Sequence, residues 1–230
     1  AIICVGENSS NEDFLRRYAL LSLPSKTLNN KSHKGNSRLL QIFQDPQAPP
    51  IVKGAVITAM RRTKDSEFEP VLKSVLINPQ NYDNATIRYA VVSASKSGKG
   101  VEYIKNLKTI SESTNDPKLH SSSIYALGLI GNSEAIRIIV NNYGKHNNER
   151  ISRVGIKRNQ KTILKMLDHK QTINTLNAGI KAAEIGNITA AKAKLNYLAS
   201  SYSNGSVKRF ALKVVENLDF QAKQNAKWED

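Results

Sequence analysis

Apolar residues recur along most of the chain at the spacing of one helix face. In the clearest run, Phe68, Val71, Leu72, Val75 and Leu76 stand at positions i, i+3, i+4, i+7 and i+8. No segment alternates strictly between apolar and polar residues, as a half-buried strand would. We therefore predict an all-α protein. The predicted helices cover residues 14–23, 37–43, 51–62, 67–77, 86–95, 101–110, 120–130, 133–143, 151–167, 172–185, 188–202 and 206–224.

An internal repeat organises the first part of this pattern. Ala55, Ala90 and Ala126 each lie in an apolar helical segment, at spacings of 35 and 36 residues. Asp45-Pro46 and Asp116-Pro117 each place an aspartate ten residues before a repeated alanine. Proline cannot continue a preceding helix, and aspartate accepts hydrogen bonds from free N–H groups at a helix start. Each unit is therefore predicted to form a helix, a turn and a second helix. Stacked helix pairs of this kind form an α-solenoid, which is the architecture that we predict.

A polar stretch over residues 145–150 ends the regular repeat. We therefore predict three regions along the chain. They are an N-terminal tail with a leading helix (residues 1–36), an array of repeats (37–150) and a basic helical region with a final capping helix (151–230).

The repeat region resembles HEAT-type repeats, especially the short class found in phycobilisome-lyase-like and many bacterial helical-repeat proteins. The aligned alanines, the Asp-Pro turns and Arg88 carry this resemblance, since HEAT repeats often have an arginine near that position. The other two units depart from it with Lys53 and Ile124. The resemblance implies a superhelix whose concave surface binds an extended partner.

A second resemblance covers residues 172–203, which are similar to one tetratricopeptide repeat. Gly179, Gly186 and Ala191 match its small positions, whereas Ser203 replaces its usual proline. Small residues let facing helices approach closely.

The chain is strongly basic. It has 34 Lys and Arg against 19 Asp and Glu, a net charge of +15 and a pI near 9.9. Residues 151–213 hold twelve of the basic residues and only two acidic ones. Such an excess indicates an anionic partner, such as an acidic protein, nucleic acid or a lipid surface. Codon bias in an AT-rich genome is the alternative explanation, because Lys, Asn and Ile are all abundant.

The sharpest local feature is a basic stripe, formed by Arg153, Lys157, Lys161 and Lys165 at four-residue spacing with Arg158 beside them. Four-residue spacing stacks side chains along one face of a helix, where like charges repel. We predict that the stripe binds the partner.

No catalytic or metal-binding motif stands out. The chain has no GxSxG or phosphate-binding loop, and its four histidines are widely spaced. Its one cysteine, Cys4, excludes an intrachain disulfide and a cysteine-based zinc site. We therefore expect no enzyme, no cofactor, no metal and no small-molecule substrate.

The first residues suggest one route to a membrane. An apolar stub, Cys4 and a polar tether resemble the end of a bacterial lipoprotein signal, although Ile3 is larger than the residue usual there. No apolar run is long enough to span a bilayer. The sequence is therefore compatible with two locations, the cytoplasm and the bacterial cell envelope.

Two functions follow from these features. The first is a helical-repeat scaffold, without catalysis, that binds an acidic protein partner through its concave, basic surface. The first alternative is a nucleic-acid-binding helical repeat that uses the basic surface of residues 151–213. The second alternative, for which no motif was found, is an enzyme or a chromophore-lyase subunit.

Overall fold

The structure is a computed structural model that describes residues 12–23 and 34–226. Within these ranges every regular element is a helix. The α-helices are α1 (Asp13–Leu21), α2 (Lys34–Gln44), α3 (Pro50–Thr63), α4 (Phe68–Ile77), α5 (Asn84–Ser95), α6 (Ile104–Ser113), α7 (Pro117–Ile130), α8 (Ser133–Asn141), α9 (Glu149–Arg158), α10 (Gln160–Met166), α11 (Ile173–Gly186), α12 (Lys192–Ser201) and α13 (Gly205–Ala226). Short 3-10 turns cover Pro79–Asn81, Gly100–Tyr103, Lys145–Asn147 and Thr189–Ala191.

The prediction of an all-α solenoid is confirmed. Helices pack mainly against helices one or two places away along the chain, such as α3 against α5 and α12 against α13. The chain divides into two compact units, residues 1–126 and 127–230, with the division inside α7. The boundaries predicted at residues 36 and 150 stay predictions.

The repeated alanines are buried at the centres of their helices. Ala55, Ala90 and Ala126 are each 0% exposed. In unit 1 they accompany larger apolar side chains, among them Ile57, Leu72, Leu107 and Ile124, which are also fully buried. A small residue lets two backbones approach, and its larger neighbours then fill the space on either side.

The Asp-Pro turns act as the sequence predicts. The Asp116 carboxylate accepts hydrogen bonds from the backbone N–H groups of Lys118 (2.7 Å) and Leu119 (3.3 Å) at the start of α7. The Asp45 carboxylate accepts one from Gln47 at 2.9 Å. These bonds satisfy N–H groups that a helix start or turn would otherwise leave unpaired.

One predicted helix is wrong in the structure. The segment 151–167 is two helices, α9 and α10, separated at Asn159, whose backbone (φ −108°, ψ 32°) departs from helical values. The Asn159 side-chain amide donates to the carbonyl oxygens of Gly128 (2.8 Å) and Gly155 (2.7 Å). The break is held by a bond to a residue 31 positions earlier, so periodicity alone could not reveal it.

Glycines set the close approaches within unit 2. A Cβ on Gly128 would lie 2.9 Å from Gly155 Cα, so α7 and α9 meet backbone to backbone. On α11, a Cβ on Gly179 would lie 3.0 Å from Met166 Cβ, and one on Gly186 would lie 2.8 Å from Ile156. Gly179 and Gly186 thus let α11 lie close against both α10 and α9.

Candidate binding surface

All five cations of the basic stripe are exposed. Arg153, Lys157 and Arg158 belong to α9, whereas Lys161 and Lys165 belong to α10. The four-residue spacing therefore holds within each helix, but the step from Lys157 to Lys161 crosses the break at Asn159. The stripe is two short basic segments on successive helices.

Two stripe residues meet in a cavity of about 500 Å³ within unit 2. Arg153 and Lys157 enter it from α9, and Lys181 enters it from α11. The other residues that line it are Tyr143, Glu184, Ile185, Asn187, Gln221 and Gln224. The fold thus adds a third cation to the pair that the sequence indicates. Arg158, Lys161 and Lys165 lie outside this lining.

The single carboxylate among the lining residues is already engaged. Glu184 accepts hydrogen bonds from Lys181 Nζ (2.7 Å) and from Asn217 Nδ2 (2.8 Å). Arg153 Nε donates to the neutral Tyr143 hydroxyl at 3.1 Å. Among the described residues, no carboxylate oxygen lies within 4.0 Å of the cationic groups of Arg153 or Lys157. The cavity therefore presents two cations that no carboxylate of the described residues neutralises.

A polar acceptor stands at the edge of the same cavity. Asn187 ends α11 in the left-handed conformation (φ 49°, ψ 53°). Its Oδ1 atom is buried and has no hydrogen-bond partner among the described residues.

An ionised carboxylate marks the end of the stripe. The Asp168 pKa lies below its ordinary value, chiefly because the backbone N–H of Lys170 donates to the carboxylate at 3.0 Å. The neighbouring ammonium groups of Lys194 and Lys170 lower it further.

Sequence reasoning missed several lining residues of the cavity. Gln221 and Gln224 belong to α13, and Tyr143 lies in the turn after α8. No local sequence motif marks these three residues as part of a cavity. Lys181 lies within the basic region of residues 151–213, but no regular spacing links it to the stripe. The signal that could have linked Lys181 to Arg153 and Lys157 is Gly186, which lets α11 lie close against α9.

No cluster suited to a metal ion was found within residues 12–23 and 34–226. Over the same ranges, no helix combines the length and apolarity needed to cross a membrane. Cys4 and the lipoprotein-like stub lie outside the described residues.

Comparisons with known proteins leave the family open. No family model and no curated protein sequence matches the chain. Among solved structures, the chain is similar to human deoxyhypusine hydroxylase in complex with glycerol, at 13% identity and a TM-score of 0.28, over 95% of each chain. At that TM-score the likeness transfers no function to this chain.

One expectation about function does not stand. From the sequence we expect a protein that is not an enzyme, whereas the solved structure that is similar over 95% of the chain is that of a hydroxylase. Catalytic groups in a helical protein can come from several separate helices and leave no contiguous motif. The missing motifs therefore do not exclude catalysis, and the expectation is withdrawn.

Proposed function

We propose that this helical-repeat protein binds an acidic protein partner through the basic stripe and the cavity beside it. The observation that carries the proposal is the meeting of Arg153 and Lys157 with Lys181 in one cavity of about 500 Å³. Its single described carboxylate, Glu184, is already bonded to Lys181 and Asn217. An incoming carboxylate would supply the counter-charge that Arg153 and Lys157 lack.

The energetics favour a bound anion at this surface. Arg153 and Lys157 are one turn apart on α9, as are Lys161 and Lys165 on α10, and each like-charged pair costs about 0.2–0.5 kcal/mol. An acidic partner relieves this repulsion. Arginine also forms two parallel hydrogen bonds with one carboxylate, which gives orientation as well as attraction.

We propose further that residues 37–144 are HEAT-type repeats and that residues 172–203 are a tetratricopeptide-like pair. The burial of Ala55, Ala90 and Ala126 supports the first assignment. The close approach of α11 to its neighbours at Gly179 and Gly186 supports the second. The concave side of such an array would present an extended surface to the partner.

The proposal is tested with a fluorescein-labelled poly-glutamate peptide, whose anisotropy reports binding. The variant R153Q/K157Q/K161Q/K165Q removes four charges from the stripe. The matched control, K73Q/K105Q/K108Q/K118Q, removes four exposed charges from unit 1. We expect the stripe variant to bind at least about tenfold more weakly than wild type and the control to change far less. Equal weakening in both variants would show a net-charge effect and would refute the proposal.

Nucleic-acid binding is the second candidate function. It is favoured by Arg158, Lys161 and Lys165, which are exposed outside the cavity and suit an extended row of phosphates. A salt titration with a mixed-sequence DNA duplex separates the two functions. For a duplex, the logarithm of the binding constant falls by about 0.9 per phosphate contact for each tenfold rise in salt. If the duplex binds more tightly than the peptide, with a steep slope lost in the stripe variant, the second function replaces the first.

A further inference from the structure

Unit 1 contains a separate groove with a cavity of about 400 Å³. It lies across the first helices of successive pairs, since its lining includes Ile51 of α3, Arg88 and Tyr89 of α5 and Ser122 of α7. Arg17 of α1 completes one side. We infer that this groove binds an extended acidic peptide segment, with carboxylates on its two arginines and an apolar side chain between them.

The two arginines are held by neutral hydroxyl groups. Arg17 Nε donates to Tyr89 Oη at 2.7 Å, and Arg88 Nε donates to Ser122 Oγ at 3.4 Å. No carboxylate oxygen lies within 4.0 Å of either guanidinium among the described residues. Each guanidinium has five N–H donors, so a bond from Nε leaves the two terminal nitrogens available to a carboxylate. Both cations are thus oriented but not neutralised.

The rest of the lining is largely apolar. Ile51 is 40% exposed, and Ala85 and Val92 are half-buried along the same groove. Burial of one peptide side chain against such residues contributes about 25 cal/mol for each Å² removed from water. The groove therefore offers an apolar contact beside two anion-binding groups.

The position of the Tyr89 ring depends on a glycine, Gly54, on the neighbouring helix α3. A Cβ on Gly54 would lie 2.2 Å from Tyr89 Cδ2, so the ring occupies space that any other residue at position 54 would take. The ring carries the hydroxyl that orients Arg17. The spacing of α3 and α5 thus fixes one anion-binding group of the groove.

Charge and shape together favour a peptide as the occupant. The lining has two arginines together with apolar side chains and contains no lysine. A nucleic-acid backbone would call for a continuous row of cations. A peptide that alternates carboxylate and aliphatic side chains matches both features of the groove.

The test uses a fluorescein-labelled peptide of alternating leucine and glutamate, with a leucine–glutamine peptide as the uncharged probe. All proteins in this test carry the stripe substitutions R153Q/K157Q/K161Q/K165Q, so the basic stripe of unit 2 contributes little to peptide binding. A negative result here therefore does not depend on whether the proposed function of the stripe is correct. The added variants are R17Q/R88Q, which removes both cations, and A85W, which fills the groove without changing charge. The matched control, K73Q/K105Q, removes two exposed charges elsewhere in unit 1.

We expect R17Q/R88Q and A85W each to weaken binding of the leucine–glutamate peptide by about tenfold or more. We expect K73Q/K105Q to change it by less than about twofold and the leucine–glutamine peptide to bind weakly. The inference is overturned if R17Q/R88Q and A85W bind as the parent does, or if the control weakens binding equally. It is also overturned if unlabelled DNA duplex displaces the probe better than unlabelled peptide, or if self-association of the chain blocks the groove. Circular dichroism and thermal melts confirm that each variant is folded.

Discussion

The Tyr89 ring lies over the backbone of Gly54, in space where a Cβ would stand 2.2 Å from ring atom Cδ2. A glycine-to-alanine change inside an exposed helix normally stabilises by about 0.5–1 kcal/mol. At Gly54 the new methyl group must displace Tyr89 and disturb its bond to Arg17. We therefore expect Gly54→Ala to destabilise the protein by about 1–2 kcal/mol in urea denaturation. Gly205→Ala, at a position with open space around the new Cβ, is the control and should be close to neutral.

The break between α9 and α10 depends on a single side chain. Asn159→Ala removes the donor to the carbonyl oxygens of Gly128 and Gly155. Unpaired buried carbonyls cost about 1–3 kcal/mol, and we expect a loss of stability of that size in denaturant titration. Asn141→Ala, at an exposed position of α8, should cost much less. Equal effects from the two changes would argue against a structural role for the Asn159 bonds.

A buried tyrosine makes the stability of unit 1 sensitive to alkaline pH. Burial of Tyr103, together with its hydrogen bond to Glu69 Oε2 at 2.5 Å, raises the pKa of the phenol above its ordinary value. The folded state therefore holds this proton more tightly than the unfolded state does. The stabilising contribution is complete below about pH 10, the ordinary tyrosine pKa, and is lost as pH rises above it.

We expect the free energy of unfolding to fall faster above about pH 10 in wild type than in Tyr103→Phe, by up to about 1.4 kcal/mol per pH unit. Urea titrations across the alkaline range measure this difference. At neutral pH the variant should be less stable by about 1 kcal/mol, because it lacks the bond to Glu69. Tyr125→Phe, which alters a tyrosine whose ring is exposed, is the matched control. If Tyr103→Phe and wild type show the same alkaline slope, the assigned role of Tyr103 is wrong.

The two halves of the basic stripe should contribute differently to binding. Arg153 and Lys157 share the cavity with Lys181, whereas Lys161 and Lys165 lie outside its lining. We expect R153Q/K157Q to weaken binding of poly-glutamate by about tenfold and K161Q/K165Q by about threefold or less. Each variant removes two positive charges, so each is the control for the other. If K161Q/K165Q weakens binding more than R153Q/K157Q does, the binding site lies on α10 instead.

The sequence predicts most of the helices because their signals are local. The helix at residues 68–77, for example, follows directly from the spacing of Phe68, Val71 and Leu72. Ala55 and Ala90 mark buried crossings because only small residues suit close approach. Such features depend on residues within a few helical turns of each other, so the sequence alone is enough to predict them.

The features that the sequence did not predict depend on distant partners. The Asn159 break needs Gly128, 31 residues earlier, and the unit 1 groove needs Arg17 to meet Tyr89, 72 residues later. The cavity in unit 2 likewise combines residues from the turn after α8, from α9, from α11 and from α13. Periodicity shows which face of a helix is apolar, but not which helix will cover it.

The packing of each helix against near neighbours has a consequence for how fast the chain folds. Contacts such as α3 with α5 and α12 with α13 span at most one intervening α-helix, so the loops that they close carry a modest entropic cost. Chains dominated by local contacts reach the native state in microseconds to milliseconds, far sooner than those that must pair distant strands. A nascent chain of this kind can bury Ala55 against α5 while α13 is still to be synthesised. Exposed apolar surface is then covered early, which limits aggregation during synthesis.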